Sequence, residues 1–269
     1  MNPMQDKILE VKNLTLTVRN KTVVRDVSFE LFPGQITALV GESGSGKTLT
    51  GLSLLRLFPN EAICKNGCIM FANRNIFDLS SEEMRKIRGN RISMVFQEPF
   101  TAMNPVMCVG RQISETIEAH QKYLRKDMLK RLVELVELVC LSRDVLSKYP
   151  HELSGGMRQR ALLAMMIACN PEILILDEPT TALDVSVQKE ILELIDTIRK
   201  QRNLSVLFIT HDFSVVNMIA DSVCVMKNGK IVEKGTKKSV LYNSQHEYTR
   251  NLIACIPRLG DTRRRLPVG

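Results

Sequence analysis

A chain of 269 residues with 44% hydrophobic side chains can bury a sizeable core, as one large domain or a domain with a subdomain. No apolar run approaches the ~20 residues that span a bilayer, and residues 1–6 offer no export segment, so a cytosolic protein is expected. The net charge of +8 points to an anionic partner (nucleotide, acidic membrane surface or nucleic acid), and the lack of an aromatic-rich basic stripe weighs against nucleic acid.

Residues 8–32 alternate weakly. Leu9, Val11, Leu14, Leu16 and Val18, then Val23, Val24, Val27 and Phe29, predict antiparallel strands of a half-buried sheet. Pro33-Gly34 marks a turn. Next, the β-prone run Ile36-Thr37-Ala38-Leu39-Val40 leads into Gly41-Glu42-Ser43-Gly44-Ser45-Gly46-Lys47-Thr48, and a helix-prone run, residues 49–57, follows. This octapeptide fits G-x-x-x-x-G-K-[ST], a phosphate-binding loop in its required strand–turn–helix context. Backbone N–H groups at such a helix start have no intrahelical partners and face an anion together with the helix dipole. Gly41, Gly44 and Gly46 let the backbone approach phosphate closely, with Glu42, Ser43 and Ser45 completing the nucleotide-binding stretch. Lys47 is expected to reach the β- and γ-phosphates, and the Thr48 hydroxyl to ligate Mg²⁺.

Residues 59–77 read as turn-rich and strand-like. Ser80-Ser81-Glu82-Glu83 fits a capping box opening a short helix through residues 84–88. A buried strand over residues 91–96 then ends at Gln97. From residue 99 to about 146 the pattern turns helical, with Met128, Leu129, Leu132, Val133, Leu135, Val136 and Val139 at three- and four-residue steps. This predicts a helical insertion between two parts of an α/β core. Leu153-Ser154-Gly155-Gly156-Met157-Arg158-Gln159-Arg160 opens a helix running to about Cys169. Ile173-Leu174-Ile175-Leu176, closed by Asp177-Glu178, reads as a central parallel strand covered on both faces. Val187, Ile191, Leu194, Ile195 and Ile198 share one face of the next helix. Residues 206–210 form another buried strand, ending at His211-Asp212, and Asn228-Gly229 between β-prone flanks signals a hairpin. After about residue 239 the chain is helical or loose, with a basic tail that includes Arg263-Arg264-Arg265.

Two acids at the end of an apolar strand suit phosphate chemistry. Asp177 is expected to support Mg²⁺; Glu178, pointing to the other side of the strand, would polarise a water for attack on the γ-phosphate. Seven scattered cysteines suggest free thiols, with Cys64 and Cys68 as partly buried small apolar residues rather than metal ligands.

With these motifs in this order, residues 8 to about 257 resemble the ATP-binding cassette of ABC transporters. The resemblance implies an α/β fold: a P-loop NTPase with a RecA-like core, an antiparallel β subdomain and a helical subdomain. It places the first part of the ATP-binding core, with the β subdomain and P-loop, at 1–98. The helical subdomain, ending in the signature motif, takes 99–158, the second part of the core 159–240 and a C-terminal tail 241–269. Ser154, Gly155 and Gly156 would be the signature that closes on the ATP held by a second subunit. Gln97 would sense Mg²⁺ and the γ-phosphate, Asp184 would lie in the D-loop crossing the dimer interface, and His211 would contact the γ-phosphate. Where the family often stacks an aromatic on adenine, this chain has Val18, so adenine packing must be weaker or come from another residue.

A narrower likeness, carried by Gln97-Glu98-Pro99 with Asn104-Pro105, by Tyr149-Pro150-His151-Glu152 and by Glu247-Tyr248-Thr249, is to the dipeptide, oligopeptide and nickel import subfamily. It implies an ATP- and Mg²⁺-dependent ATPase on the cytoplasmic face of the membrane. Its partners would be a second, non-identical ATPase subunit, two permease subunits and, indirectly, an extracytoplasmic substrate-binding protein. Peptide is the first cargo expected and nickel or a metal chelate the second. Only Cys255 stands in the region where relatives carry a cysteine-bearing extension, so no iron–sulfur cluster is expected. A soluble ABC ATPase acting on DNA or ribosomes is the alternative from another class; it would carry tandem cassettes or a long coiled-coil insertion. A degenerate regulator would lack the Glu, His or signature Ser that are present here.

Overall fold

The computed structural model describes residues 6–96, 102–181 and 183–254. Gln97, the stretch to residue 101, Ala182, Cys255 and the arginine triplet lie outside the described residues. The chain forms two compact units, residues 1–77 with 208–269, and residues 78–207.

In the first unit, β1 (Leu9–Val18) pairs antiparallel with β2 (Lys21–Leu31) and with β4 (Ala62–Phe71), which also pairs with β5 (Arg74–Asn75). The order is β2-β1-β4-β5. Leu9, Val11, Leu14 and Leu16 are all buried, with the alternation interrupted between Val11 and Leu14, where Asn13 is left-handed and the pairing register shifts. The second sheet segment is different in kind. All five residues of β3 (Ile36–Val40) are buried, as in a strand covered on both faces. It pairs in parallel with β9 (Ser222–Lys227), and β9 turns back antiparallel into β10 (Lys230–Thr236). The hinge is the expected Asn228-Gly229 pair. Both residues have positive φ, 48° and 81°, the conformation a tight two-residue hairpin needs. Within this unit the order is β10-β9-β3-β8, where the last three residues of β8 (Ser205–Thr210) belong here and the first three to the second unit. Helix α1 (Lys47–Ser53) follows β3. Helices α7 (Phe213–Ile219), α8 (Lys237–Tyr242) and α9 (Glu247–Ala254) bring Phe213, Val216, Val240, Leu241 and Tyr248 onto Ala38, Val40, Val223 and Val225.

The second unit begins with α2 (Ser81–Ile87). Its capping box is present as read: Ser80 Oγ accepts from Glu83 N–H at 3.2 Å, and Glu83 Oε2 accepts from Ser80 N–H at 2.8 Å. β6 (Ile92–Val95) pairs in parallel with β7 (Ile173–Asp177), and both are buried throughout, in the order β8-β7-β6. Between β6 and β7 come α3 (Val109–Glu118), α4 (Arg125–Leu138), two single 3₁₀ turns at Arg143–Ser147 and Pro150–Glu152, and α5 (Gly155–Met166); α6 (Val185–Arg202) follows β7. The periodicity of α4 buries Met128, Leu132, Leu135, Val136 and Val139, but Leu129 is 61% exposed. It keeps the three- and four-residue spacing but lies at the outer edge of the buried stripe.

The six described cysteines are free thiols, and burial pushes the Cys224 thiol up to about 12, far from reactivity at neutral pH. Among the described residues no helix is long and apolar enough to cross a membrane, and no group of three or more His, Cys, Asp or Glu side chains could hold a metal.

Helices α5 and α6 meet at their N-terminal ends. A Cβ on Gly156 would sit 2.8 Å from Val187 Cγ1, and one on Gly155 3.8 Å from Leu183 Cδ2. Valine is stiff at χ1 and cannot step aside cheaply. Gly156→Ala should therefore destabilise by about 1–2 kcal/mol, although alanine ordinarily favours a helix by about 1 kcal/mol over glycine. Adding Val187→Ala should recover part of that loss in thermal unfolding. A double variant whose losses simply add would mean the two positions do not touch.

Candidate functional site

The phosphate loop lies in the first unit, between a fully buried strand and a helix start. Its chain is fixed on several sides. A Cβ on Gly41 would lie 2.1 Å from the Met226 carbonyl oxygen, so no larger residue fits there. Gly46 is in the left-handed region at φ 103° and forms the N-cap of α1. Gly229 of the β9–β10 turn donates its N–H to Ser45 O at 3.0 Å, and Thr50 Oγ1 donates to Gly46 O at 2.9 Å. Gly44, by contrast, has nothing within 4 Å of where a Cβ would be, and Glu42, Ser43, Gly44 and Thr48 are exposed. One side of the loop is thus clamped to the protein, and the other faces outward.

Lys47 is the exception to its residue type. Lysine is almost never buried unless its charge is met, yet Lys47 is only 5% exposed. Its ammonium donates to Gly41 O at 2.8 Å and to Glu42 O at 2.9 Å. The charge is therefore held inside the curve of its own loop, where the α1 amides also point. His211 belongs to the same unit. It follows the last residue of β8 and is exposed; Asp212 behind it caps α7, accepting from Ser214 N–H at 2.7 Å and donating its own N–H to Thr210 Oγ1 at 3.0 Å. Val18 ends β1 opposite Lys21 and Ala62.

The strand-end acids lie in the second unit. Asp177 is the last residue of β7 and is 1% exposed. Glu178 departs from the reading of a side chain on the opposite face of the strand. The strand stops at Asp177, and Glu178 adopts φ 47°, a left-handed conformation uncommon for a non-glycine residue. This turn breaks the alternation and brings the carboxylate to Thr181, whose hydroxyl contacts Glu178 Oε2 at 3.1 Å and Glu178 O at 3.3 Å. Thr181 was not singled out for this contact, and only the turned backbone reveals it.

The signature residues are in the same unit. The Pro150–Glu152 turn leads in, with Tyr149 N–H donating to Glu152 Oε2 at 2.7 Å and Arg158 Nε donating to Pro150 O at 2.5 Å. Ser154 is the N-cap of α5; its Oγ accepts from Met157 N–H at 3.3 Å, which leaves the hydroxyl hydrogen for an outside acceptor. Ser154 and Gly155 are exposed. Asp184 caps the neighbouring α6, accepting from Val187 N–H at 2.9 Å. The structure therefore groups Ser154, Gly155 and Gly156 with the start of α6, and Glu178 with Thr181.

A family model described as ABC transporter matches residues 24–181. The dipeptide transport ATP-binding protein DppD of Bacillus subtilis (strain 168) is 46% identical over 94% of this chain and 78% of its own length. The oligopeptide transport ATP-binding protein OppD of the same organism is 44% identical over 94% of this chain and 73% of its own. Among solved structures, a dimeric bacterial ABC transporter cassette superposes with a TM-score of 0.75 at 25% identity, over 85% of this chain and 98% of that one. With a nucleotide cradle of this build and likeness along almost its whole length, the chain belongs to the ABC transporter family, as an ATP-hydrolysing subunit.

Proposed function

We propose that this chain hydrolyses ATP to drive uptake of di- or oligopeptides through two partner permease subunits, from the cytoplasmic face of the membrane and in a dimer with a second, non-identical cassette. The observation that carries the ATPase part is the buried Lys47 ammonium, held in position by two carbonyls of its own phosphate loop. The peptide cargo rests on the dipeptide and oligopeptide transport relatives, which favour it over nickel. An extracytoplasmic binding protein would deliver the cargo.

In this reading the loop from Gly41 to Thr48 wraps the phosphates. The exposed amides of the loop and Lys47 meet the negative charge. Glu178 polarises the attacking water, and the Thr181 hydroxyl sets the direction of its carboxylate. His211, at the exposed end of its strand, contacts the γ-phosphate. Ser154, Gly155 and Gly156 complete the site of the other subunit, and Asp184 crosses to it. Gln97 takes the sensing role in the segment outside the described residues. The donors fit Mg²⁺ by type: the exposed Thr48 hydroxyl in the first unit and the buried Asp177 carboxylate in the second are each hard oxygen ligands. Mg²⁺ held by donors of this kind would neutralise phosphate charge as it develops.

Lys47→Ala should weaken ATP binding by at least about 10-fold, since hydrogen bonds to a charged group contribute about 1.5–3 kcal/mol. Equilibrium binding of ATP to the purified chain reads this out, and wild-type affinity in the variant would end the P-loop assignment. Glu178→Gln should keep ATP binding but lower turnover by about 10²–10⁴, the range for a lost general base. It should also accumulate a nucleotide-bound dimer on gel filtration. Undiminished phosphate release would remove Glu178 from the reaction. Uptake assays with the intact transporter, comparing a dipeptide with Ni²⁺, decide the cargo.

A further inference from the structure

The C-terminal helix reaches the phosphate loop through one side chain. Tyr248, in the first turn of α9, is 6% exposed, and its hydroxyl oxygen accepts from the Glu42 N–H at 3.3 Å. The ring is fixed independently of the hydroxyl. It packs in the cluster formed by Ala38 and Val40 of β3 with Val223 and Val225 of β9, and the Lys227 ammonium lies 4.2 Å from its centroid. The start of α9 is fixed too. Tyr248 N–H donates to His246 Nδ1 at 3.1 Å, and the Glu233 carboxylate of β10 accepts from the Gln245 and His246 N–H groups at 2.7 and 3.3 Å. Little in this arrangement lets the hydroxyl drift.

Glu42 is therefore held on both sides, its carbonyl by Lys47 and its N–H by Tyr248. The two ties differ in what nucleotide does to them. A lysine ammonium has three donors, two of which are committed to the loop's own carbonyls. Phosphate oxygens compete for them. The Glu42 N–H lies near the start of the loop, ahead of α1, and is donated to Tyr248 Oη, a tie that uses none of the Lys47 donors. We propose that Tyr248 is a positioning residue for the phosphate loop, its hydroxyl pinning the Glu42 peptide so that the loop keeps its nucleotide-accepting shape when Lys47 turns from the loop carbonyls to phosphate. Burial, with the Glu42 carboxylate beside it, pushes the Tyr248 pKa up. The hydroxyl thus keeps its proton at neutral pH, and can donate to that carboxylate while accepting from the amide. The inference rests on the assignment of residues 41–48 to nucleotide phosphate.

Tyr248→Phe keeps the ring, its burial and the lysine above it, and removes only the hydroxyl. In the purified chain it should raise the dissociation constant for MgATP about 3–10-fold, the loss of one net hydrogen bond. Turnover at saturating ATP should change less than affinity, and the melting temperature by no more than about 2 °C, since the packing is kept. Exchange of the Glu42 amide hydrogen in nucleotide-free protein should quicken by a similar factor. Lys47→Ala, run alongside, separates the two claims. If Tyr248→Phe binds ATP as wild type does while Lys47→Ala does not, the positioning role is wrong and the P-loop stands. If neither variant alters binding, both fall. If the affinity loss only tracks a large drop in melting temperature, the role is structural and the proposal fails. Should the variant not fold, exchange in the wild-type protein decides: protection of the Glu42 amide supports the tie, and exchange at the rate of an unstructured amide overturns it.

Discussion

One buried ammonium governs the first unit. Lys47 lies buried with its amine donating to the Gly41 and Glu42 carbonyls. Those carbonyls can face inward only if the loop takes its particular curve. That curve needs the Met226 carbonyl against Gly41, the left-handed Gly46, and the Gly229 amide on Ser45. Removal of any support would leave a positive charge in a poorly matched cavity, a large cost by the standards of a protein whose net stability is about 5–15 kcal/mol. The all-buried β3 and the tight β9–β10 hairpin are the means by which backbone geometry is delivered to that one side chain.

Much of this was legible in the sequence because the signals were local. Glycines with a lysine and threonine at fixed spacing, an acid pair closing a short apolar run, Ser80 three residues before Glu83, and Asn228-Gly229 between β-prone flanks each constrain the backbone within a few residues. The signature glycines were also found, though for half of their reason. An anion at a helix N-terminus accounts for Ser154 and Gly155, whereas Gly156 is also required by Val187 on another helix. No spacing rule carries that information, because the partner lies 31 positions away in the chain.

What was missed shares this character. Strand alternation places Glu178 only while the strand continues; β7 stops at Asp177, and the left-handed Glu178 has its carboxylate at the Thr181 hydroxyl. Tyr248 was visible as a residue of a subfamily likeness, but its contact with Glu42 spans 206 positions and depends on how α9 seats on the sheet. Leu129 keeps helical spacing yet is exposed, because spacing alone does not say where the edge of the buried stripe falls. Local chemistry could be read from the sequence; long-range placement had to come from the fold.

The near-contact of α5 with α6 has a mechanical corollary. With no space for a methyl group between Gly156 and Val187, and the Arg160 guanidinium joined to Glu190 at 2.8 Å farther along, the two helices have no slack at this end. The exposed serine tip and the aspartate-capped tip therefore lie side by side. A surface that meets one of them meets the other as well, so a single substitution between the helices alters both tips presented to it.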